Sequence, residues 1–452
     1  MNNQKYKFNI HLIGVGGVSM SGLAEYFASV GFSVSGSDRV DFPNKNRLEN
    51  FGIKIYIGHN AENLKDAHAV VYSDAVSSEN EELSYAKKNG LYCISRADAL
   101  RMISENFGEV VGVCGCHGKT TVTCMLAHIF KSANMRFTAH IGGEDLKLGG
   151  FIINGNEVFL SEVCEFKKNI NKFVADYAVC LNTGVDHMDC YASETELYDA
   201  YISFAKRAYK AIINKNDGVL GDYNCANAFF FSNLTNADAF IKNLKSKRGK
   251  YSFDFIVKGK RLGKINLSVV GRHSVENALA AAACANRMGI SFKAIKKGLE
   301  NFVGVKRRFE EIGMISKAKV VADYAHHPTE ILACLNCAKE VSRGKVYILF
   351  QPHTYSRTIF LKNEFLQVLS SVENLALFKT FSARESYKAG GSAFDLHKEI
   401  SGSKYFESLD LACEYYEKTL TKNDLLLVLG AGDIYYLFKE KLTNNRLIGG
   451  LK

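Results

Sequence analysis

Proline is scarce in this sequence. The 452 residues include three prolines and no tryptophan. Average proline usage of about 5% would give roughly twenty in a chain of this length. The shortage excludes a polyproline scaffold, a proline-rich linker and a collagen-like repeat. The length favours about three domains, each able to bury its own core, so any linkers must be built without proline.

Long apolar runs are also missing. The longest, 425–429 and 278–285, fall well short of the ~20 residues that span a bilayer. The first apolar run, FNIHLIGVGG, breaks into glycines, so we expect no signal peptide. These features predict a soluble, cytoplasmic protein without a membrane partner. The sequence leaves open whether it is a monomer or a homodimer.

The sequence has no cysteine pattern typical of a metal site. The twelve cysteines are scattered, and the only C-x-x-C pair, Cys334 and Cys337, has no second pair to complete a zinc site. We therefore expect buried free thiols. The formal charge of +10 comes from interspersed acids and bases, without the basic stripe and interleaved aromatics of nucleic-acid-binding proteins. Nucleic acid is not an expected partner.

Short β-rich runs alternate with amphipathic stretches along almost the whole chain. This pattern predicts an α/β protein with parallel sheets and crossover helices. Breaks near residues 107 and 312 suggest three domains, at 1–107, 108–312 and 313–452. The polar, lysine-rich segment 225–265 is predicted to form irregular loops and small strands.

The most specific local signal is the segment GCHGKTT, which follows the strand-like EVVGVC. Glycines let backbone N–H groups and a helix N-terminus surround a polyphosphate, while a lysine neutralises the terminal phosphates and a threonine hydroxyl reaches Mg²⁺. The segment lacks two residues of the usual P-loop spacing. A plain glycine turn would explain the glycines but not the lysine. Nucleotide binding is therefore predicted for Gly115, His117, Gly118, Lys119, Thr120 and Thr121.

A second glycine-rich turn, GVGGVSMSG, lies near the N-terminus, and an acid ends the next predicted strand. The pattern is close to a dinucleotide fingerprint, in which a helix N-terminus holds a pyrophosphate and the acid meets a ribose hydroxyl. NAD, FAD and a nucleotide-sugar diphosphate would all fit this pattern. A turn that serves only to pack the strand against the helix is about as good an interpretation as any one of these ligands. The candidate binding residues are Gly14, Gly16, Gly17, Ser19 and Asp38.

Two segments at predicted strand ends carry carboxylates and an imidazole: SEVCE at 161–165 and NTGVDHMD at 182–189. Delivered to the same sheet edge as the nucleotide motif, such groups can hold one or two Mg²⁺ ions between a triphosphate and the attacking group. Singly, each segment is more typical of a helix cap or a satisfied polar turn. Their coincidence with the nucleotide motif favours the functional interpretation.

Four further motifs follow in order: GRHSVENA at 271–278, KRRF at 306–309, DYAHHPTE at 323–330 and QPHTYSRT at 351–358. Adjacent histidines and a proline just past a strand are typical of a site. However, proline in the first turn of a helix with polar neighbours explains either histidine-rich segment equally well.

Taken together, the ordered motifs resemble those of the ATP-dependent Mur ligases of peptidoglycan synthesis, over nearly the whole chain. DYAHHPTE with FQPH is similar to the branch that adds L-alanine to UDP-N-acetylmuramate. The resemblance implies an N-terminal Rossmann-like domain for the UDP-sugar, a central P-loop ATPase-like domain and a C-terminal Rossmann-like domain. The third domain would contribute to the amino-acid and ATP sites.

The resemblance also implies roles for the nucleotide and metal residues. Lys119 would hold the β- and γ-phosphates, Thr120 and Glu162 would bind Mg²⁺, His187 would bind a second Mg²⁺, and Asn277 would read the adenine. The glycine turn and Ser19 would line the UDP pyrophosphate site, with Asp38 near the uridine. The third domain would bring further residues to the nucleotide and acyl centre, Arg308, Asp323, His326 and His327, and to the muramate and alanine end, His353 and Arg357.

The implied reaction begins when the lactyl carboxylate of UDP-N-acetylmuramate attacks the γ-phosphate of ATP to form an acyl phosphate. The amine of L-alanine then attacks that carbon and expels phosphate. Two anions meet in the first step, so Lys119 and two Mg²⁺ ions would be needed to offset their repulsion.

Three positions depart from the family pattern. Cys116 stands where threonine is usual, Ser274 where asparagine is usual, and Thr354 where many relatives have arginine. None of these changes removes Lys119 or a predicted metal ligand, so we expect an active enzyme.

Three rival interpretations stay open at this stage. The recycling ligase that joins UDP-N-acetylmuramate to a ready-made tripeptide shares much of the motif set. A nicotinamide-dependent oxidoreductase would use the N-terminal turn but leave Lys119, Glu162 and His187 without a role. A non-catalytic nucleotide sensor would bind ATP without turnover.

Overall fold

A computed structural model describes residues 8–184, 190–383 and 385–449. The chain forms two compact units. The first runs up to Leu244 and includes Phe253–Asn266 and Glu276–Val303. The second comprises Lys245–Ser252, Leu267–Val275 and the chain from Gly304 onward.

The first sheet has five parallel strands in the described N-terminal residues, in the order β3-β2-β1-β4-β5. The strand order changes direction around β1, which creates a crevice at the carboxyl ends of the neighbouring strands. The glycine-rich turn follows β1 and therefore lies at this crevice. The elements are β1 Asn9–Ile13, α1 Val18–Ser29, β2 Ser33–Asp38, α2 Lys45–Asn50, β3 Lys54–Ile57, β4 Ala69–Tyr72, α3 Glu81–Lys88, β5 Tyr92–Ser95 and α4 Arg96–Ser104.

The second sheet has ten strands within the described ranges, in the order β15-β14-β13-β12-β11-β10-β6-β9-β7-β8. Its central strands β9, β6 and β10 are parallel neighbours and are almost wholly buried, which explains their near-continuous apolar sequences. The elements are β6 Glu109–Cys114, α5 Lys119–Ser132, β7 Phe137–Asp145, β8 Gly149–Asn154, β9 Val158–Glu162, β10 Tyr177–Cys180, α6 Glu194–Arg207, β11 Lys210–Asn214, β12 Ala228–Ser232, β13 Ala239–Lys247, β14 Lys250–Val257, β15 Lys260–Val270, α7 His273–Arg287 and α8 Phe292–Asn301.

The prediction of irregular loops and small strands over 225–265 is wrong for most of the segment, because the long strands β13, β14 and β15 occupy it beyond the short strand β12. Two-residue turns join them. Arg248 and Gly249 have φ of 52° and 72°, and Lys258 and Gly259 have φ of 46° and 79°. Positive φ at both central residues is the signature of the tightest hairpin turn, in which asparagine or aspartate is usual at the first position. Arg248 and Lys258 occupy the first position of these two turns, so the sequence shows no typical hairpin-turn motif there.

The third sheet has six strands in the described C-terminal part, in the order β16-β17-β21-β18-β19-β20, with β16 as an antiparallel edge strand. The fully buried β21 lies between β17 and β18, and the two histidine-rich motifs follow the ends of these two strands. The elements are β16 Glu310–Ile315, β17 Ala318–Asp323, α9 Pro328–Val341, β18 Val346–Phe350, α10 Tyr355–Phe360, α11 Lys362–Leu369, β19 Leu375–Phe378, α12 Ala393–Glu399, β20 Lys404–Phe406, α13 Leu409–Thr419, β21 Leu425–Leu429 and α14 Ile434–Gly449.

None of the helices in the ranges described here combines the length and apolar character needed to cross a bilayer.

Candidate active site

The GCHGKTT segment forms a tight loop between β6 and α5. Gly115 has φ of 140°, and Gly118, the residue before α5, has φ of 89°. Neither position leaves room for a side chain. A Cβ on Gly115 would lie 2.9 Å from Leu181 Cβ, and one on Gly118 would lie 2.6 Å from Asn277 Oδ1. The loop therefore presents bare backbone at a helix N-terminus, an arrangement that suits phosphate oxygens.

Asn182, just after β10, clamps this loop from the neighbouring strand. Its Oδ1 accepts a hydrogen bond from His117 N at 2.8 Å, and its Nδ2 donates to His117 O at 3.0 Å. Cys116 N also donates to Asn182 O at 3.1 Å. The sequence pointed to this segment but not to the clamp, because the partners are far apart in the chain.

Replacing Asn182 with alanine should raise the KM for ATP about thirtyfold, since it removes two hydrogen bonds that fix the loop, each worth about 1 kcal/mol. Initial rates at varied ATP would measure the effect. The rate at saturating ATP should change much less, and an unchanged KM for ATP would contradict the clamp.

The Lys119 ammonium is enclosed by the loop and by one carboxylate. Its Nζ lies 3.2 Å from both oxygens of Glu165 and donates to Cys116 O at 3.3 Å. Burial alone would lower the pKa of Lys119, but the Glu165 carboxylate raises it above its ordinary value. The lysine is therefore positively charged at physiological pH. Glu165 lies within a predicted segment, but its pairing with Lys119 was not predicted.

Thr120 and Glu162 meet beside the loop. Thr120 Oγ1 donates to Glu162 Oε2 at 3.1 Å, and Gly142 N donates to Glu162 Oε1 at 2.6 Å. A Cβ on Gly142 would lie 2.8 Å from Glu162 Oε2, so glycine is needed there for close approach.

Hydroxyl and carboxylate oxygens are the donors that Mg²⁺ prefers, so the Thr120–Glu162 pair fits this ion. No group of three or more His, Cys, Asp or Glu side chains in the described residues could hold a metal. A magnesium ion here would therefore take its other ligands from water and phosphate, as is usual for nucleotide sites. His187, the other predicted metal ligand, lies outside the described residues.

The N-terminal turn is held by the end of β2. Gly14 N and Val15 N donate to Ser37 O at 2.8 and 3.0 Å, and Gly16 N donates to Asp38 Oδ2 at 2.9 Å. Gly14 has φ of 81°, which favours glycine. Gly17 precedes α1 directly, so the turn again ends at a helix N-terminus. The predicted residues of this site are thus brought together.

A chain of polar contacts leads from this turn to the central sheet. Ser19 Oγ lies 2.6 Å from His140 Nε2, and His140 Nδ1 lies 3.0 Å from Ser161 Oγ, next to Glu162. Arg96 Nη1 donates to Ser19 Oγ at 3.4 Å. Neither His140 nor Arg96 belongs to a short motif, and the sequence interpretation missed both.

His140 makes stability depend on pH. Its burial, and then the Arg96 charge, lower the pKa of His140 from 6.5 to about 3. Between these values the unfolded chain binds a proton that the folded protein does not, so this histidine reduces stability as the pH falls below about 6.5.

His140→Gln should remove this dependence. Lowering the pH from 8 to 5 should therefore reduce the Tm of the wild type more than the Tm of the variant. Thermal unfolding followed by circular dichroism would measure it. A difference that is the same at both pH values would contradict the burial of a neutral imidazole.

In the second unit, Asp323 ends β17 and accepts hydrogen bonds from Phe309 N at 2.7 Å and Ala325 N at 2.8 Å. Burial raises the pKa of Asp323, and the Arg308 guanidinium partly offsets that rise. Arg308 also approaches Glu330, with Nη1 at 3.9 Å from Oε1. The structure thus brings Arg308 and Asp323 close enough to interact, as the family resemblance implied.

His327 is the residue before α9, and its side chain accepts a hydrogen bond from Thr329 N. The Glu330 carboxylate accepts in return from His327 N at 3.3 Å, and Pro328 occupies the first helical position. His327 therefore caps a helix, in agreement with the interpretation of this motif as a helix start with proline in its first turn. Its predicted role at the acyl centre stays a prediction.

His353 and Arg357 lie together after β18. Arg357 Nη1 is 3.3 Å from His353 Nδ1, the His326 and His353 ring centroids are 5.8 Å apart, and His353 stacks on Phe381. Burial, helped by the charges of His326 and Arg357, lowers the pKa of His353 to about 4. The imidazole is therefore neutral at physiological pH. Thr354 has φ of 66°, a strained conformation for a β-branched residue, between His353 and α10.

Three family models match consecutive parts of the chain. They are the Mur ligase family catalytic domain at 9–108, the Mur ligase middle domain at 113–285 and the Mur ligase glutamate ligase domain at 307–432. The chain belongs to the Mur ligase family. The family resemblance drawn from the motifs is thereby confirmed.

Individual relatives agree with this assignment. A UDP-N-acetylmuramate–L-alanine ligase from Acetivibrio thermocellus is 36% identical over 99% of this chain and 98% of its own length. The crystal structure of a UDP-N-acetylmuramate-alanine ligase from Thermotoga maritima matches with a TM-score of 0.81 at 26% identity, covering 98% of this chain and 99% of its own. The predicted three-domain α/β fold is confirmed.

A murein peptide ligase from Psychrobacter arcticus matches with a TM-score of 0.73 at 21% identity, covering 96% of this chain and 98% of its own. At that identity the likeness shows a shared fold alone.

Proposed function

We propose that this chain is an ATP-dependent ligase that joins L-alanine to the lactyl carboxylate of UDP-N-acetylmuramate, giving UDP-N-acetylmuramoyl-L-alanine, ADP and phosphate. The observation that carries the proposal is the 36% identity, over 99% of the chain, to a relative named for both substrates. The backbone left uncovered at Gly115 and Gly118 and the charged Lys119 support an ATP-dependent reaction. A cytoplasmic location is part of the proposal.

The first step brings a carboxylate to the γ-phosphate of ATP. Lys119 and the backbone N–H groups of the loop would offset the repulsion between these two anions, because they are fixed before the substrates arrive. Mg²⁺ held by Thr120 and Glu162 would supply further positive charge at the phosphate oxygens. We propose His187 as a ligand of a second Mg²⁺ ion. The carboxylate displaces ADP and becomes an acyl phosphate.

The second step forms the amide bond. The amine of L-alanine attacks the acyl carbon, and the phosphate leaves with the electrons of the bond that breaks. We propose that His353 and Arg357 bind the muramate and alanine end, and that Arg308, Asp323 and Asn277 serve the nucleotide. The uncharged imidazole of His353 beside the Arg357 guanidinium suits recognition of a carboxylate, because it adds a hydrogen-bonding group without a second charge.

A phosphate-release assay with UDP-N-acetylmuramate, ATP and Mg²⁺ tests the proposal. The acceptors compared would be L-alanine, glycine, L-serine and the L-alanyl-γ-D-glutamyl-meso-diaminopimelate tripeptide. We expect the highest kcat/KM with L-alanine and phosphate release that depends on both co-substrates. Strong preference for the tripeptide would assign the chain to recycling instead, and ATP binding without turnover on any acceptor would make it a nucleotide sensor.

A further inference from the structure

A largely buried cluster of polar side chains lies at the first sheet. At its centre is the Glu82 carboxylate, in the first turn of α3. Asn63 Nδ2 donates to Glu82 Oε1 at 2.7 Å, and Ser37 Oγ donates to Glu82 Oε2 at 2.5 Å. His59 Nδ1 lies 2.9 Å from Oε2, and His11 Nε2 lies 3.6 Å from Oε1. We call these five residues the Glu82 cluster.

The carboxylate at the centre of the Glu82 cluster is buried and ionised. The side chains of Glu82 and His11 have no solvent exposure, whereas that of His59 is 19% exposed. Burial alone would raise the pKa of Glu82, but hydrogen bonds from His11, Ser37 and Asn63 lower it to about 2. A buried charge of this kind is weak evidence for stability, because apolar side chains of similar volume often stabilise a core as well or better.

The Glu82 cluster is connected to the N-terminal glycine turn through one residue. The side chain of Ser37 belongs to the cluster, while its main-chain oxygen accepts the hydrogen bonds of Gly14 N and Val15 N at 2.8 and 3.0 Å. The next residue, Asp38, accepts the hydrogen bond of Gly16 N. A shift of Ser37 would therefore move its main-chain oxygen and the neighbouring Asp38 carboxylate, and with them the N–H groups of residues 14–16 that donate to these acceptors.

We infer that Glu82 is a positioning residue for the 14–17 turn and, through it, for the diphosphate of a nucleotide-sugar. The inference rests on the proposed function and on the UDP-sugar site that the family resemblance implies for this turn. By anchoring Ser37, the cluster keeps the turn in its binding geometry before the ligand arrives. Binding then costs less ordering of the backbone.

The test is Glu82→Gln, which keeps the shape of the side chain and removes its charge. Calorimetry would give the Kd for UDP-N-acetylmuramate and for UDP, and initial rates would give the KM for each substrate. We expect the Kd and KM for UDP-N-acetylmuramate to rise about tenfold, the low end of what a lost charge-assisted hydrogen bond costs. The KM values for ATP and L-alanine should not change.

The matched control is Glu25→Gln. Glu25 is a buried carboxylate in α1 of the same sheet domain, and it pairs with Arg47 at 2.8 Å. This variant should alter Tm without altering the Kd for UDP-N-acetylmuramate. If Glu82→Gln also changes Tm alone, or raises the KM of all three substrates alike, Glu82 is structural and the inference is overturned.

A second variant, Ser37→Ala, covers the case in which Glu82→Gln does not fold. It leaves Glu82 with Asn63, His59 and His11 but cuts the connection to the turn, and it should raise the same Kd selectively. An unchanged Kd in Ser37→Ala overturns the inference. A wild-type protein that binds UDP-N-acetylmuramate but ligates no acceptor overturns the proposed function only, because the Kd comparison still decides the role of Glu82.

Discussion

Lys119→Ala should reduce ligation by about a thousandfold or more, the scale on which removal of a cation from the transferring phosphoryl group is felt. The side chain of Lys119 is the positive charge enclosed by the Gly115–Gly118 loop, and its ammonium is held in place by Glu165. Single-turnover phosphate release at saturating substrates would measure the loss. The Kd for UDP-N-acetylmuramate should stay within twofold, since the UDP-sugar site implied by the family resemblance lies at the first sheet, whereas Lys119 follows β6 of the second.

Lys119→Ala also leaves the Glu165 carboxylate buried without this cation, which can lower stability. The double variant Lys119→Ala with Glu165→Gln removes that charge. It should be as inactive as Lys119→Ala but should have a higher Tm. Lys131→Ala, an exposed lysine in the last turn of the same helix, is the matched control and should keep wild-type activity. Substantial turnover by Lys119→Ala would refute the phosphate assignment.

Glu162→Gln should lower kcat by about a hundredfold, a typical effect of losing one preorganised electrostatic contact in a reaction of this class. The amide keeps an oxygen for Gly142 N but presents a weaker ligand to a cation beside Thr120. The Mg²⁺ concentration for half-maximal activity should therefore rise as well. Titrating Mg²⁺ in the phosphate-release assay would show both effects.

The matched control is Glu157→Gln, an exposed residue just before the same strand, which should leave the Mg²⁺ dependence unchanged. If Glu162→Gln lowered kcat without shifting the Mg²⁺ requirement, the carboxylate would have a role other than metal binding. Excess Mn²⁺, which binds similar oxygen ligands, should recover part of the lost rate if the assignment is right.

The sequence predicted the strands that precede the two glycine turns, because an apolar run followed by glycine is a local signal. The runs before Gly115 and Gly14 form strands, and both glycine turns lead into helices. Residues placed by these local patterns, such as Thr120 and Glu162, also meet in the structure.

Side chains that act across long stretches of sequence were not predicted. His140 reaches Ser19 over a separation of 121 residues, and Asn182 reaches His117 over 65. Neither stands in a pattern with a spacing that could reveal its partner. The hairpins of 239–270 were missed for a different reason, because their turns use basic residues at a position where asparagine or aspartate is usual.

The arrangement of β9, β6 and β10 sets the dimensions of the candidate active site. Glu162, the Gly115–Gly118 loop and Asn182 stand at the ends of three adjacent strands, which are about 4.8 Å apart in any sheet. The hydrogen-bonded ladder between the strands therefore sets the spacing of these three groups. A register slip of one residue in β9 would turn Glu162 to the opposite face of the sheet. A change in the length of β9, β6 or β10 would therefore displace the group at its end relative to the other two, whereas a change in a connecting loop would leave this spacing intact.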